Sequence, residues 1–381
     1  MSPIYLDNNA TTPIHPDVAQ AMLDCNLRGL VNPESQHQLG RESRRTLESA
    51  RETIGRLLGL HLEDIHADHL FFTSGGTEAN NLALQGYRLA ANNKNRLIIS
   101  GIEHPSVTTT ATWLASQGID VQTVNTLNSG QIDCNHLESL LNDETFLVAA
   151  MLANNETGVL QPIDKIVSLC QPRSIPVHVD AVQAIGKLSV DFQSLGATSM
   201  AVTAHKIHGP RGIGALITKH EHPPQPILHG GFQQAAIRPG TEAVALAVGF
   251  AMALELYVAN QVGHQEHLLR LRKTLESGIL SQLACAVVVG DDSPRLPHTS
   301  NISFRGKDRQ AVLMALDVAG ICCSTGSACA SGSSEPSPTL VAMGLEDEII
   351  EGALRFSLGV FNTDEEIQAA ITQICAVAEV L

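Results

Sequence analysis

The stretch Leu70–Ala91, with the sequence LFFTSGGTEANNLALQGYRLAA, joins an apolar run to a glycine turn and a helical pattern. The run Leu70–Thr73 has the length and composition of a short buried strand, and the residues after the turn have helical periodicity. Between them, Gly75 and Gly76 let backbone N–H groups approach a ligand at the positively polarised start of a helix. The stretch therefore predicts a phosphate-binding cup. The alternative is a tight strand-to-helix turn with a Ser or Thr as helix cap.

Apolar runs of strand length alternate with helical patterns from this stretch as far as residue 217. Such alternation is typical of an α/β fold with a largely parallel sheet. Segments such as Ser106–Gln117 and Ile163–Cys170 have the length of crossover helices. The seven strands predicted for the sheet are Leu70–Thr73, Arg96–Ser100, Asp120–Val124, Thr145–Leu152, Ile175–Val179, Thr198–Thr203 and Ile213–Ile217.

The regions on either side of the sheet predict a second, smaller domain. Arg41–Leu58 has the pattern of an amphipathic helix, and Glu242–Leu275 that of one long helix bridging two domains. We expect a large domain of residues 14–260 and a small α+β domain of residues 1–13 and 261–381, which carries a loop at residues 324–338. The strands expected in the small domain are Ala286–Val289, Asn301–Phe304, Ile321–Ser324 and Leu354–Ser357, and the helices are Asp308–Ala319 and Asp364–Leu381.

Composition and charge exclude several classes of function. The chain has 39 Asp and Glu against 24 Lys and Arg, a net charge of -15, and only 3% aromatic residues, which disfavours direct binding to nucleic acid. The longest strongly apolar run, residues 243–254, is too short to cross a bilayer, and the first residues lack a secretory signal, so we expect a cytoplasmic protein without membrane contact. Eight cysteines are too few for a disulfide scaffold. Pairs of histidines three residues apart lack the further ligands of a metal site, so no metal is expected.

Charged side chains follow three of the predicted strands, at the edge where parallel strands bring ligands together. His104, Asp180 and Lys206 each come at or shortly after a strand end. A carboxylate there suits a cationic ring nitrogen, a partly desolvated lysine bonds to an aldehyde carbon, and a histidine stacks on a ring or moves a proton. Each residue alone has a structural alternative: helix capping for Asp180 and a solvated surface charge for Lys206.

Cys329 lies in the Gly/Ser-rich segment Ser324–Pro338, whose composition is typical of a mobile loop. Apolar packing does not explain a thiol in such a segment, so it is either incidental or reactive. Half of a loop of this length moves a sulfur atom on the order of 20 Å, the range needed to carry sulfur between two sites. Five other cysteines lie in or beside apolar patterns and are expected to be small core residues.

Taken together, the motifs resemble the NifS/IscS-type cysteine desulfurases, pyridoxal-phosphate enzymes of fold type I in the class-V aminotransferase family. The motifs are Tyr5–Pro13, Phe72–Asn81, Glu103–His104, Asn154–Gly158, His178–Gln183, His205–Pro210, Arg238–Thr241, Gly326–Cys329, Glu335–Ser337 and Arg355–Gly359. The resemblance runs from residue 4 to beyond residue 366. It implies pyridoxal 5'-phosphate as cofactor, L-cysteine as substrate, a homodimer, and a sulfur-acceptor protein as partner.

The resemblance also implies roles for residues around the cofactor ring. Lys206 matches the lysine that binds the cofactor covalently and removes the α-proton. Asp180 matches the partner of the pyridine nitrogen, and His104 the imidazole stacked on the ring. Gln183 and Asn155 match contacts to the ring hydroxyl and the substrate.

Further roles concern the phosphate, the substrate and the sulfur. The residues that match phosphate ligands are Gly76, Thr77, Thr203 and His205, with Thr241 contributed by the second subunit. Arg355 matches the arginine that holds the substrate carboxylate, a bidentate task suited to guanidinium. Cys329 matches the cysteine that attacks the substrate sulfur and becomes a persulfide.

Three features depart from the family pattern. Thr203-Ala204 replaces the usual Ser-Gly or Ser-Ala, although a Thr hydroxyl should still donate to a phosphate. The segment Gly230–Gln234 departs from the usual Gly-Gln-Glu ending and places Phe232 near the mouth of the site. Cys322 and Cys323 are extra thiols, which we interpret as strand residues, and their closeness to Cys329 leaves a disulfide open.

Other functions remain open at this stage. A selenocysteine lyase or cystine C–S lyase of the same fold would not need a protein persulfide, and an inactive scaffold would keep the fold and bind partners. For a desulfurase, the acceptor is an iron-sulfur scaffold, a tRNA thiolation protein or DNA phosphorothioation machinery.

Overall fold

The computed structural model describes residues 3–91, 93–326 and 335–381. Its main feature is a seven-stranded sheet in the order β2-β8-β7-β6-β5-β3-β4. The strands of the described chain are β1 Ile4–Tyr5, β2 His69–Thr73, β3 Arg96–Ser100, β4 Asp120–Val124, β5 Thr145–Met151, β6 Val177–Asp180, β7 Ser199–Thr203, β8 Gly214–Thr218, β9 Ala286–Val288, β10 Thr299–Phe304, β11 Ile321–Cys322 and β12 Ala353–Ser357. All seven strands predicted for this sheet are present, so the α/β prediction is confirmed.

Strand β8 is the exception to the parallel arrangement, because it runs antiparallel to both β2 and β7. The strands from β7 through β6, β5 and β3 to β4 are parallel. A parallel return needs a crossover of a dozen or more residues, and the link from Thr203 to Gly214 is shorter than that. The short link therefore turns β8 back beside β7.

Helices cover the sheet and build the smaller unit. The α-helices are α1 Pro16–Leu27, α2 Gln38–Leu57, α3 Gly76–Ala90, α4 Pro105–Ser116, α5 Cys134–Leu140, α6 Ile163–Cys170, α7 Phe192–Leu195, α8 Val244–Ala259, α9 Gln261–Leu280, α10 Arg309–Val318, α11 Pro338–Ala342, α12 Asp347–Glu351 and α13 Asp364–Val380. Short 3-10 turns occupy Gln171–Arg173, Ala204–Lys206 and Gln233–Ala236. Local signals set several starts: His104 caps α4 with Pro105 at its first position, and Thr363 with Glu366 forms a capping box on α13.

The single long helix predicted over Glu242–Leu275 is wrong, because the segment forms α8 and α9 with a bend of 75° between them. Asn260 separates the two with φ −125° and ψ 30°, outside the helical region. Helix α8 packs on α1 and α2, whereas α9 packs on α13, so the two halves bury their apolar residues in different cores. No single helix of the described residues is long and apolar enough to span a membrane. The bent pair meets that test only when its two parts are taken together.

The buried apolar residues separate into two main regions. Clusters of residues between Val18 and Tyr257 cover the two faces of the large sheet. A third cluster combines Leu6 with residues 268–378 and surrounds the sheet of β9, β10 and β12. This division lies near the domain boundaries expected from the sequence, which stay a prediction.

The start of the chain packs against its distant carboxyl-terminal part. Strand β1 pairs in parallel with β11, and Asn9 N donates to Ser357 Oγ at 2.9 Å. Cys322 belongs to β11 as expected, but Cys323 follows the strand, so that part of the strand prediction is wrong. Both have free thiols.

Candidate active site

A cavity of about 250 Å³ lies at the carboxyl ends of β5, β6 and β7, beside the start of α3. It brings together ten of the twelve site residues predicted from the sequence. These residues are Gly76, Thr77, His104, Asn155, Asp180, Gln183, Thr203, His205, Lys206 and Arg355. In the described chain Thr241 is exposed and lies outside this lining, and Cys329 lies outside the described residues.

The predicted phosphate cup forms one wall of this cavity. Gly75 is the cap residue of α3, and no side chain of the described residues caps that helix. The N–H groups of its first turn are therefore available to an anion, and Gly76 and Thr77 line the cavity. Gly214 on β8 lets the cup approach the sheet, because a Cβ on Gly214 would lie 2.6 Å from Val202 O and 2.8 Å from the carbonyl carbon of Gly75.

Replacing Gly214 by alanine is expected to displace the cup and weaken binding of a phosphate-bearing ligand. The contacting atoms are backbone, so they cannot move aside as a flexible side chain would, and overpacking of this kind costs about 1–3 kcal/mol of stability. Thermal unfolding and ligand titration measure the two effects. Gly55→Ala on α2 is the control, because its new methyl group meets only movable leucine side chains. Equal behaviour of the two variants would contradict the proposed role of Gly214.

Two further predicted phosphate ligands are Thr203, the last residue of β7, and His205, on the 3-10 turn that follows. Thr203 Oγ1 donates to Ile213 O at 3.0 Å, so this hydroxyl must leave that carbonyl before it donates to a phosphate. His205 Nδ1 lies 3.2 Å from Thr11 Oγ1. Burial, with the positive charges of Lys206, Lys187 and Arg211, lowers the pKa of His205 to about 3. His205 is therefore a neutral hydrogen-bonding group at physiological pH.

Asp180 is fixed by a network centred on Asn80. The Asp180 carboxylate accepts hydrogen bonds from Asn80 Nδ2 at 2.7 Å and from Val182 N at 3.0 Å. Asn80 Nδ2 also donates to Ser106 Oγ at 2.8 Å, and Asn80 Oδ1 lies 3.0 Å from His178 Nε2. The Asn80 amide thus uses both of its donor hydrogens and its acceptor. Asn80 belongs to the motif Phe72–Asn81, but no role was predicted for it from the sequence.

His104 is joined to the same network through Ser106. Its Nδ1 accepts from Ser106 N at 3.1 Å and lies 2.8 Å from Ser106 Oγ. These contacts assign the ring proton to Nε2. Burial lowers the pKa of His104, with the Asp180 carboxylate opposing and the Lys206 charge adding to the shift. The cavity therefore presents a neutral imidazole that is held by its edge.

Lys206 extends from the 3-10 turn that follows β7. Its Nζ donates to the backbone carbonyl oxygen of Asn9, and to that of Ala10 at 2.8 Å. The backbone of Lys206 is also held, because Lys187 Nζ donates to the carbonyl oxygen of Lys206. Burial, with the Lys206 charge, lowers the pKa of Lys187 to about 7. The supports given by residues 9, 10 and 187 were not predicted from the sequence.

Glu103 is a buried carboxyl group next to His104. Its Oε1 accepts from Ser100 Oγ and from Met151 N at 2.8 Å, and its buried Oε2 has no hydrogen-bond partner among the described residues. Burial raises the pKa of Glu103 from 4.5 to about 8. The side chain is therefore protonated at neutral pH in the folded protein.

The Glu103→Gln variant is expected to gain stability relative to wild type as pH rises. Between pH 4.5 and pH 8 folded Glu103 holds a proton that the unfolded chain has lost, so this group makes the wild type less stable as pH rises through that window. Glutamine does not titrate, so the difference in unfolding free energy should grow by on the order of a few kcal/mol between pH 5 and pH 8. Urea unfolding at both pH values measures it. Parallel pH profiles would contradict a raised pKa for Glu103.

Another part of the cavity lining carries the predicted substrate residues. Arg355 is 1% exposed, and its Nη2 donates to Asp7 Oδ1 at 2.6 Å and its Nη1 to Asn155 O at 3.1 Å. Gln183 Nε2 donates to Asn9 O at 3.1 Å. The buried Nε of Arg355 and Oε1 of Gln183 have no hydrogen-bond partner in the described part of the chain. Unsatisfied buried polar atoms in a cavity wall fit a polar ligand that supplies the missing partners.

The family model for aminotransferase class-V matches residues 4–370. The chain belongs to the class-V aminotransferase family. A relative of this class-V chain, the cysteine desulfurase NifS of Azotobacter vinelandii, is 37% identical over 98% of this chain and 92% of its own. The structure of a NifS-like protein from Rickettsia africae matches with a TM-score of 0.89, 31% identity and 99% of each chain covered. A second structure, titled SspA in complex with cysteine, matches with a TM-score of 0.80 and 30% identity over 94% of this chain and 99% of its own.

Pyridoxal 5'-phosphate is the cofactor of class-V aminotransferases, and the residues present fit it. The cup at Gly76 and Thr77 suits the phosphate, the Asp180 carboxylate suits a protonated ring nitrogen, and the Lys206 amine suits the aldehyde. The unpartnered Oε1 of Gln183 offers an acceptor for a ring hydroxyl. When bound, the cofactor supplies an electron sink for charge that develops on a substrate carbon.

Proposed function

We propose that this chain is a pyridoxal-phosphate cysteine desulfurase that converts L-cysteine to L-alanine and passes the sulfur through Cys329 to an acceptor protein. The observation that carries the proposal is that Lys206, Asp180 and Arg355 line one cavity. In addition, Ser324, the first residue of the segment that contains Cys329, forms backbone hydrogen bonds with Arg355. The relatives named cysteine desulfurase and the related structure in complex with cysteine support this activity and substrate.

Within this proposal, two side chains control protons and charge. The Lys206 amine lies in the cavity and takes the α-proton of the substrate, returning it later in the cycle. The Asp180 carboxylate, held by Asn80 and Val182, keeps the ring nitrogen protonated. His104 would stack on the cofactor ring as a neutral imidazole, because its Nδ1 accepts a hydrogen bond from Ser106 N.

The substrate is oriented through its carboxylate. Arg355 is buried and already holds one carboxylate, that of Asp7, at 2.6 Å. Its Nε has no partner among the described side chains, so the guanidinium has a donor left for a second carboxylate. We therefore assign the substrate carboxylate to Arg355, which lines the same cavity as Lys206.

Cys329 receives the sulfur in the proposed reaction. Ser324 and Arg355 exchange backbone hydrogen bonds, N to O at 3.2 Å and O to N at 2.7 Å. Cys329 is five positions after Ser324, and a chain of that length spans at most about 18 Å. The Cys329 thiolate attacks the substrate sulfur, a sulfur–sulfur bond forms and the carbon–sulfur bond breaks. The electron pair of the broken carbon–sulfur bond stays with the carbon fragment, which takes up protons and leaves as alanine.

The test of the proposed function is product analysis with the purified holoenzyme. L-Cysteine and a thiol reductant should yield alanine and sulfide in equal amounts. Turnover of L-selenocysteine or L-cystine without turnover of L-cysteine would instead establish one of the lyases of the same fold. A protein that turns over none of the three and binds no pyridoxal phosphate would be the inactive scaffold.

We propose that the enzyme is a homodimer in which Thr241 contacts the phosphate bound by the other subunit. Thr241 is exposed. Phe232, nine residues before Thr241 in the chain, is 89% accessible. A dimer contact over this segment would bury that aromatic ring. Sedimentation equilibrium should give twice the chain mass, and a monomer with full activity would contradict the arrangement.

The acceptor is proposed to be a protein, because a net charge of -15 disfavours direct delivery to nucleic acid. Iron-sulfur scaffolds and the proteins of tRNA thiolation or DNA phosphorothioation are the candidates. Isotopically labelled sulfur loaded on the enzyme and traced in a lysate identifies the acceptor. Labelled sulfur found directly on nucleic acid would contradict delivery through a protein.

A further inference from the structure

The segment Gln233–Ala236 contains three successive non-glycine residues in the left-handed region. Their φ values are 49° at Gln234, 56° at Ala235 and 60° at Ala236. Each such residue is unfavourable for an L-amino acid, and a run of them persists only where its surroundings hold it. The contacts of this segment, which we call the left-handed turn, therefore indicate what it supports.

Gln234 attaches the left-handed turn to β2. Its Oε1 accepts from Phe72 N at 2.6 Å, and its Nε2 donates to Phe72 O at 2.9 Å. Strand β2 is at the edge of the sheet and has β8 as its single partner strand among the described residues. The Gln234 side-chain amide thus takes the place of a neighbouring peptide group at Phe72. Arg51 Nη1 adds a donor to Gln234 Oε1 at 3.3 Å.

Arg238, two residues beyond the left-handed turn, contacts the first turn of α3. Its Nε donates to Glu78 Oε1 at 2.7 Å and its Nη2 to Glu78 Oε2 at 3.2 Å. Glu78 Oε2 in turn accepts from Ser74 N at 2.7 Å. Gln234 Nε2 also reaches Arg238 O at 3.3 Å, so the two attachments are joined to each other.

These attachments lie on both sides of the phosphate cup. Phe72 immediately precedes Thr73 and Ser74, and Glu78 immediately follows Thr77. The cup is therefore held from outside the cavity at its two ends. We propose that Gln234 is a positioning residue that, together with Arg238, sets the cup N–H groups for the cofactor phosphate. This inference rests on the proposed function, since it concerns the same site.

The contact with Phe72 uses both the acceptor and the donor of the Gln234 side chain. A methionine side chain has a similar length but offers no N–H donor and only a weak acceptor, so it would satisfy neither Phe72 N nor Phe72 O. Gln234→Met therefore removes the contact with little change in size. The expected consequence is a displaced cup and weaker binding of phosphate, with the ring-binding side chains unaffected.

The experiment compares pyridoxal phosphate with pyridoxal, which lacks the phosphate, in titrations of the cofactor-free full chain. For Gln234→Met we expect the affinity for pyridoxal phosphate to fall roughly tenfold and that for pyridoxal to stay within about twofold of wild type. The matched control is Gln117→Met, at an exposed glutamine whose side chain contacts Ser116 Oγ, and it should change neither affinity. Melting of the cofactor-free proteins reports whether each variant is folded.

Each outcome decides the inference. Equal loss of both affinities, or no loss of either, would overturn the positioning role of Gln234. If Gln234→Met does not fold, Arg238→Lys gives the same comparison, because it keeps the charge but removes the two-point contact with Glu78. A wild-type chain that binds neither compound would instead contradict the proposed function itself.

Discussion

Serine in place of Cys329 is expected to abolish alanine formation from L-cysteine, with a loss of at least about 10³-fold. A hydroxyl is a far weaker nucleophile towards sulfur than a thiolate. Proton transfer by Lys206 does not break the carbon–sulfur bond in place of the attack by Cys329. Alanine release under turnover with a thiol reductant measures the rate. Mass spectrometry of the wild type without reductant should show one added sulfur atom on the peptide that contains Cys329.

The control for Cys329→Ser is Cys322→Ser, at a half-buried thiol in β11. Burial, with the Asp317 and Asp7 carboxylates, raises the pKa of Cys322, so this thiol stays protonated and should be dispensable. Cofactor absorbance should be the same in both variants, because neither thiol has a predicted role in holding the cofactor. Undiminished alanine formation by Cys329→Ser would exclude the persulfide route and favour a lyase.

Asparagine in place of Asp180 is the second large effect, with an expected loss of turnover on the order of 10³-fold. The substitution keeps the shape but removes the charge that holds a ring nitrogen protonated. The NH₂ group of the new amide would also face the donors of Asn80 and Val182, which now point at two carboxylate oxygens. Steady-state kinetics measures the loss, and the shifted absorbance of the bound cofactor reports the ring nitrogen.

The matched comparison for Asp180→Asn is Asn80→Ala. Removing the Asn80 amide leaves the Asp180 charge in place but deletes one of its hydrogen bonds and the link to Ser106. Turnover should therefore fall much less than in Asp180→Asn. Cofactor binding should persist in both, since Lys206 and the phosphate cup are separate groups. Near wild-type turnover of Asp180→Asn would contradict the assigned role.

The sheet was predictable because its strands are short apolar runs with polar ends. Arg96–Ser100 and Asp120–Val124 have the predicted ends, and the other strands of the sheet differ by at most two residues. The break at Asn260 was missed because the periodic pattern continues across it. What separates α8 from α9 is the core that each helix faces, and a local pattern does not contain that information.

The site was predictable where chemistry depends on side-chain type at a strand end. Lys206, Asp180 and His104 carry such signals, and the structure places them in one cavity. The groups that hold these side chains in place carry no such signal in the sequence. The amine of Lys206 is held by backbone carbonyls almost two hundred residues earlier, and Gln234 acts on the backbone of Phe72. Backbone oxygens have no sequence signature, so contacts of this kind become visible only when the chain is folded.

The pairing of the chain's first residues with its late strands has a consequence for protein synthesis. The carbonyl oxygen of Asn9 accepts a hydrogen bond from Lys206 Nζ, and the N–H of Asn9 donates to Ser357 Oγ. Asp7 forms an ion pair with Arg355. A nascent chain therefore carries Lys206 and the cup on the ribosome long before the residues that close the site have been translated. Cofactor captured by a growing chain would therefore meet no complete substrate site until Arg355 and Ser357 have emerged and paired with residues 7 and 9.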